Sequence, residues 1–284
     1  MNLKNVTWKA ILIDVLLIPF NSLWKPAKRI FFFEFVIVLL AGAFASAGQN
    51  MALLLESDPE SFFEVRNNDA FHRALGNQMT AEAWIYAKDL TGLRVIANKE
   101  ESFQFAVRGG TFNAALRPDP RGLGWAWFNS KFEIELEKWA HVAMIWDGEH
   151  VRMYVDGRES EPFLKKADAI NVTKATFKVG RRERGGATHG IFDGLIDEVR
   201  ISKVVRYQDG YEVPRSAFEP DDDTLALYHF DKEEPARMIE DFSQSGADGK
   251  LKGQAKLVPS TAPTALPVEA GGKLATLWGT LKAH

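Results

Sequence analysis

Residues Trp139 to Gly157, WAHVAMIWDGEHVRMYVDG, constrain this chain more than any other stretch. Ala140, Val142, Met144 and Trp146 alternate with His141, Ala143 and Ile145, and the run from Val151 to Val155 alternates Val, Met and Val with Arg152 and Tyr154. Alternation with a period of two predicts two neighbouring strands, each with one face turned to a core. Asp147-Gly148 and Asp156-Gly157 supply residues that tolerate positive φ, as a strand reversal demands.

The same texture recurs along the chain. From Ala52 onward, short alternating runs stand between Gly, Asp, Asn and Pro punctuation, the pattern of an antiparallel β-sandwich. Strands are predicted near 52–56, 62–66, 80–86, 93–98, 103–108, 111–117, 124–129, 132–137, 139–147, 151–156, 175–180, 190–202, 224–230 and 250–258. No long stretch has helical periodicity, although short helical turns are expected at Lys203 to Tyr207 and Pro214 to Phe218. With 284 residues, 46% of them hydrophobic and 12% aromatic, the chain can fill one large all-β core. It has no Cys, which excludes disulfides and Cys-ligated metals.

The motif W-x-H-V-A, then D-G, then Y-V-D-G resembles the laminin-G-like jelly rolls of the concanavalin A-like lectin/glucanase superfamily. Three further segments fit that family in order: Met79-Thr80-Ala81-Glu82-Ala83-Trp84-Ile85, then Gly194-Leu195-Ile196-Asp197-Glu198-Val199-Arg200-Ile201-Ser202, then Leu225 to Asp231 followed by Asp241-Phe242-Ser243-Gln244-Ser245-Gly246. The resemblance covers residues 50 to 258 and implies a jelly-roll sandwich; it says little of function, because one fold hosts many activities. In many relatives the Y-x-F-D strand opens the domain, whereas here Leu225 to Gly253 follow the G-x-I-D-E-V-R-I strand. Domain termini often lie together, so this late segment is expected to close the sheet from the other end rather than begin a truncated second copy.

The ends differ from the middle. Lys25, Lys28 and Arg29 precede an apolar run from Ile30 to Ala43, and Ala45-Ser46-Ala47 offers small residues of the kind a signal peptidase reads. Residues 1–47 are therefore expected to be an export signal or a membrane anchor, with 30–47 as the apolar part. Residues 48–258 form the domain, and 259–284 a Pro/Ala/Gly linker ending in Leu274, Leu277, Trp278 and Leu281 on one face of a short helix. Five Lys/Arg and two acids fall in residues 1–47, leaving 30 bases against 36 acids in residues 48–284. A mildly acidic body without a basic stripe argues against a nucleic-acid partner.

Three sets of residues are candidates for chemistry. Gly124-Trp125-Ala126-Trp127-Phe128-Asn129 puts two Trp on one face of a strand. Sugar rings stack on such faces, so Trp125 and Trp127 with Asn129 and Arg117 form a candidate glycan platform; burial of one or both rings in the core is the competing reading. Glu133, Glu135 and Glu137 have the alternate spacing of laminarinase-type hydrolases, which need two carboxyl groups about 5 Å apart. An ordinary row of solvent-facing acids, with Ile134 and Leu136 in the core, is the favoured reading. The resemblance also implies calcium near the sandwich rim, for which Asp197, Asp231, Asp241 and Asp248 are candidates; an Asp-anchored turn is the alternative at Asp241. Asp197-Glu198 is expected to be structural, one acid pairing with Arg200 or capping a turn. His141 is expected to be a buried or edge hydrogen-bonding residue, and Arg181-Arg182-Glu183-Arg184-Gly185-Gly186 a solvated loop. No G-x-S-x-G, H-E-x-x-H or phosphate loop is present.

By resemblance the expected function is non-catalytic recognition of a glycan or a surface glycoprotein outside the cytoplasmic membrane. A protein-binding adhesion module and a glycoside hydrolase using the Glu133 to Glu137 row are the alternatives.

Overall fold

The computed structural model describes residues 50–66, 75–119, 124–164, 169–232 and 235–264. The leader expected in residues 1–47 and the apolar face at 274–281 lie outside the described residues. No helix occurs among them. The strands are β1 (Met51–Glu56), β2 (Phe62–Val65), β3 (Met79–Ala87), β4 (Leu93–Lys99), β5 (Phe103–Arg108), β6 (Thr111–Leu116), β7 (Pro118–Asp119), β8 (Ala126–Glu133), β9 (Trp139–Trp146) and β10 (His150–Val155). They continue with β11 (Arg158–Glu159), β12 (Phe163–Leu164), β13 (Ala169–Ile170), β14 (Phe177–Val179), β15 (Arg182–Arg184), β16 (Ala187–His189), β17 (Asp193–Ser202), β18 (Thr224–Tyr228), β19 (Met238–Ile239), β20 (Gly249–Lys252) and β21 (Lys256–Pro259).

The hairpin at Trp139 to Gly157 forms as its sequence requires. Strands β9 and β10 pair antiparallel with Val151 opposite Trp146. Gly148 takes φ 95°, while the Asp147 carboxylate accepts the N–H groups of Glu149 and His150 at 2.8 and 2.6 Å. At the next turn Asp156 and Gly157 take φ 50° and 74°, and the chain doubles back into β11.

Two sheets stack face to face. The first runs β11-β10-β9-β3-β17-β1-β21, with β12 also on β10 and β18 on β17. The second runs β19-β20-β2-β14-β4-β5-β6-β8. Two ribbons, β7 with β13 and β15 with β16, stand outside them. Ile85, Val142, Met144, Met153 and Ile196 from the first sheet meet Phe63, Phe103, Phe105, Phe112 and Phe177 from the second in one buried core. Each such side chain contributes about 1.5–3 kcal/mol on burial. Phe63 meets Tyr228 and Phe230 edge-on, with ring centroids 4.8 and 5.5 Å apart, so β18 and the residues after it are tied to β2 across the core. The late segment therefore completes both sheets of one domain: β18 pairs with β17, β20 with β2 and β21 with β1.

The strand expected at 250–258 is two strands in different sheets. Gly253, at φ 56°, turns the chain out of β20 in the second sheet and into β21 in the first. The strand expected at 132–137 does not form; β8 ends at Glu133 and residues 134–138 turn, with Glu137 at φ 55°. Only Ile134 of the two apolar residues is buried there, and Leu136 is 52% exposed. The helical turns expected at 203–207 and 214–218 are also absent. Residues 203–220 instead cross the outer face of the first sheet as an extended strap, and two small apolar clusters form beneath it. Trp84 and Leu227 pack with Phe218 and Val213, and Ala143, Ile145 and Tyr154 pack with Val205, Tyr207 and Tyr211.

Candidate functional site: the outer face of the second sheet

Register places three strands' outward residues in rows. Gln104 on β5 lies opposite Ala115 on β6, which lies opposite Trp127 on β8. One row along, Ala106, Asn113 and Asn129 stand in line. On the other side Ser102 meets Arg117, whose N–H donates to the Ser102 carbonyl at 2.8 Å. Alternate residues share a face of a strand, so these positions all look away from the core occupied by Phe103, Phe105, Phe112 and Phe128.

Trp125 and Trp127 come together here as their spacing predicts. Their ring centroids are 5.7 Å apart and the rings are tilted by 33°. Trp127 is 39% exposed and Trp125 half-buried, so neither fills the core between the sheets. Asn129 is exposed on the same strand, and its Oδ1 accepts a hydrogen bond from Asn113 Nδ2 at 2.9 Å.

The cation over the pair is Arg182, not Arg117. The Arg182 guanidinium lies 5.1 Å from the Trp125 ring centroid and 5.6 Å from that of Trp127. Glu100 holds it there by accepting from Nε at 2.7 Å and Nη2 at 2.8 Å, a bidentate geometry. Arg117 is engaged by Glu101 at 2.8 Å. The segment expected to be a solvated loop is one only at its tip: Arg181 and Arg182 are both buried, while Arg184, Gly185 and Gly186 are exposed at the turn of the β15–β16 hairpin. Arg181 lies over the Phe62 ring at 3.7 Å and donates to the Pro59 carbonyl. Arginine stacking on an aromatic face hides a charge that a Gly-rich basic string advertises as solvent-facing.

The candidate hydrolytic row is not a row. Glu133 closes β8, Glu135 pairs with Lys138 in the turn and Glu137 sits in a left-handed conformation, so the three carboxylates do not share one strand face.

The four candidate calcium ligands are engaged within the protein. Asp241 accepts the N–H groups of Leu227, Ser243 and Ala247 and the hydroxyls of Ser243 and Ser245, all within 3.0 Å. Asp248 accepts the Asp241 N–H at 2.9 Å. These two carboxylates therefore anchor a turn. Asp197 is fully buried, accepting from the Glu198 N–H and the Ser260 hydroxyl, while Asp231 accepts the Met51 N–H at 2.7 Å. Burial first, and the charge of Glu198 next, push the Asp197 carboxyl well above the usual carboxylate range. Among the described residues no group of three acids or His is arranged to hold a metal ion.

A second polar assembly lies under the strap on the first sheet. Glu82 on β3 is fully buried; its Oε1 accepts from Arg200 Nε at 2.8 Å and its Oε2 accepts from the Tyr207 hydroxyl at 2.7 Å. His141 bridges Glu82 at 3.2 Å and the Tyr211 hydroxyl at 2.9 Å. Burial acts to raise the Glu82 pKa, but the His141 hydrogen bond and the Arg200 charge outweigh it and hold the carboxyl down at about 2. Tyr207 and Tyr211 are pushed up by burial and by the Glu82 charge. Arg200 thus pairs with Glu82 rather than with Asp197 or Glu198, and Glu198 pairs with His229 at 2.7 Å while accepting the Phe218 N–H. The expected hydrogen-bonding role of His141 holds. The assembly pins the strap, whose Tyr207 and Tyr211 rings stack 3.7 Å apart. Near the strap's start, a cavity of about 340 Å³ is lined by Gln78, Asp147, Arg152 and Gln208, among others, on the sheet opposite the Trp pair.

A family model described as concanavalin A-like lectin/glucanases superfamily, Laminin_G_3, matches residues 44–210. No curated protein matches the sequence. Among solved structures, a Bacteroides ovatus protein proposed to bind carbohydrate superposes with a TM-score of 0.57 at 16% identity, over 77% of this chain and 62% of that one. The chain thus spans less than two thirds of that protein's length. Domains LG4-5 of the mouse laminin alpha1 chain superpose with a TM-score of 0.43 at 17% identity, over 56% of this chain and 42% of that one. The CBM40 module of Ruminococcus gnavus IT-sialidase bound to alpha2,3 sialyllactose gives 0.44 at 12% identity, over 55% and 93%.

Proposed function

The chain belongs to the Laminin_G_3 family of the concanavalin A-like lectin/glucanases superfamily, and from that premise we propose that it is an exported, non-catalytic module that binds carbohydrate or a surface glycoconjugate through Trp125 and Trp127. The observation that carries the reading is the pair of neighbouring indole rings on the outer face of a sheet, one of them 39% exposed. A large aromatic left open on a rigid strand offers a flat apolar face for the C–H edge of a sugar ring, with Asn129 beside it to take a hydroxyl. The name of the Bacteroides ovatus structure, which shares the fold, points the same way. On this reading residues 1–47, with 30–47 as the apolar part, serve as export signal or membrane anchor and the domain works outside the cytoplasmic membrane.

The test uses the full chain on a glycan array and on insoluble polysaccharides, beside Trp127→Ala. Retention that the variant loses without a change in melting temperature supports the platform. Equal retention by both proteins, or none by either, refutes it. Release of reducing ends, abolished by Glu133→Gln, would instead establish the hydrolase alternative.

A further inference from the structure

Beneath the Trp pair lies a set of buried polar atoms that the fold leaves without partners. Ser102 Oγ, Gln104 Nε2, Asn113 Oδ1 and Trp125 Nε1 are each buried and make no hydrogen bond. Buried polar groups are ordinarily satisfied, and single exceptions are scattered. Here Gln104 and Asn113 stand on the adjacent strands β5 and β6, and Ser102 and Trp125 immediately before β5 and β8, around the small side chains of Ala106 and Ala115, which are buried yet outside the main core. The Asn113 amide is fixed in orientation, because its Nδ2 donates to the Phe128 carbonyl at 2.6 Å, which leaves Oδ1 facing elsewhere.

We infer that Ser102, Gln104 and Asn113 are the polar floor of a saccharide subsite under Trp125 and Trp127, and that the sugar unit it takes is uncharged. The inference rests on the carbohydrate reading above. A hydroxyl group both donates and accepts, so adjacent hydroxyls on one ring match the unpartnered set: Gln104 Nε2 and Trp125 Nε1 donate, Asn113 Oδ1 accepts and Ser102 Oγ does either. Alanines at 106 and 115 add little bulk to this face, although both are fully buried in this structure. A carboxylate-bearing sugar needs a cation whose charge is not already matched, and both guanidinium groups nearby lie against a carboxylate, Arg182 against Glu100 at 2.7 and 2.8 Å and Arg117 through Nη1 against Glu101 at 2.8 Å, while Arg117 Nε has no partner. Because the floor atoms are buried in this structure, a ring reaches them only when the side chains above them move aside.

The experiment titrates the full chain with neutral tetrasaccharides of glucose, xylose and arabinose, and with sialyllactose and oligogalacturonate as acidic counterparts. Wild type, Ser102→Ala, Gln104→Met and Trp127→Ala are compared, each with its melting temperature. Binding confined to the neutral set, weakened about tenfold by Ser102→Ala and by Gln104→Met at an unchanged or higher melting temperature, is expected, because each change removes an unsatisfied buried group and Gln104→Met gives up only a long 3.4 Å bond from Asn98. Tighter binding of an acidic glycan overturns the inference. So does wild-type affinity in both floor variants while Trp127→Ala loses binding, an outcome that leaves the platform standing. Losses that track a lowered melting temperature in both floor variants overturn it too. No binding by wild type removes the platform and the floor together.

Discussion

Replacing Glu82 with Gln measures how firmly the strap is held. With its folded pKa depressed from the ordinary 4.5 to about 2, ionised Glu82 stabilises the fold at neutral pH. That contribution is fully present above pH 4.5 and is lost as pH falls toward 2; linkage makes it about 3 kcal/mol at pH 7 and about 1 kcal/mol at pH 3. Glu82→Gln also leaves the Arg200 guanidinium buried without its carboxylate, so the total loss at pH 7 is about 3–5 kcal/mol. Asp197 and Asp231 move the other way. Their folded values lie above 3.8, so each stabilises below that pH and loses its contribution as pH rises through the raised value. Both groups are present in wild type and variant and cancel from the difference. Urea denaturation of the two proteins at pH 7 and pH 3 should therefore show a gap that narrows by about 2 kcal/mol on acidification. A gap of the same size at both pH values would refute the reasoning, since it would mean that the Glu82 charge is not what the network binds.

Gly157→Ala should cost more than about 1 kcal/mol and lower the melting temperature, because Gly157 sits at φ 74° with the Tyr211 carbonyl pressed against the space of a Cβ. Asp241→Ala should lose about 3 kcal/mol in equilibrium denaturation, equally in calcium and in chelator, since it strips acceptors from the Leu227 and Ala247 N–H groups. A loss seen only in calcium would place a cation there instead. Glu100→Gln frees Arg182 over the Trp rings, so glycan titration should shift toward carboxylate-bearing sugars by about tenfold.

How far these features could be read in advance depended on the distance over which each is specified. The β9–β10 hairpin was legible because Asp-Gly turns and period-two alternation act within a few residues. The Trp pair was legible for the same reason, two positions apart at the start of β8. Glu133 to Glu137 imitates a strand because five residues alternate, yet one positive-φ residue at Glu137 ends the pattern and exposes Leu136. Gly253 was the only local sign that 250–258 changes sheets. The Arg182 clasp and the unpartnered floor were not legible. Arg182 meets Glu100 at a separation of 82 residues, and Glu82 meets Arg200 at 118, so neither pairing leaves a mark on the sequence near it. Likewise Ser102, Gln104 and Asn113 look like ordinary outward positions of strands until register lines them up.

Strands β1 and β21 run antiparallel with Met51 opposite Pro259, and the Ser260 N–H donates to the Asn50 carbonyl at 2.8 Å. The chain thus enters and leaves the sandwich at one point, which gives the domain a mechanical character. Tension between the segment before Asn50 and the one after Thr264 would load the β1–β21 hydrogen bonds one at a time, like a zip, rather than all together in shear. The edge strand β21 would peel first, at low force, taking Ser260 from Asp197 while the Trp-bearing edge on β8 stays folded. A module tethered through both ends would then yield at its seam under load and leave the Trp125–Trp127 face in place.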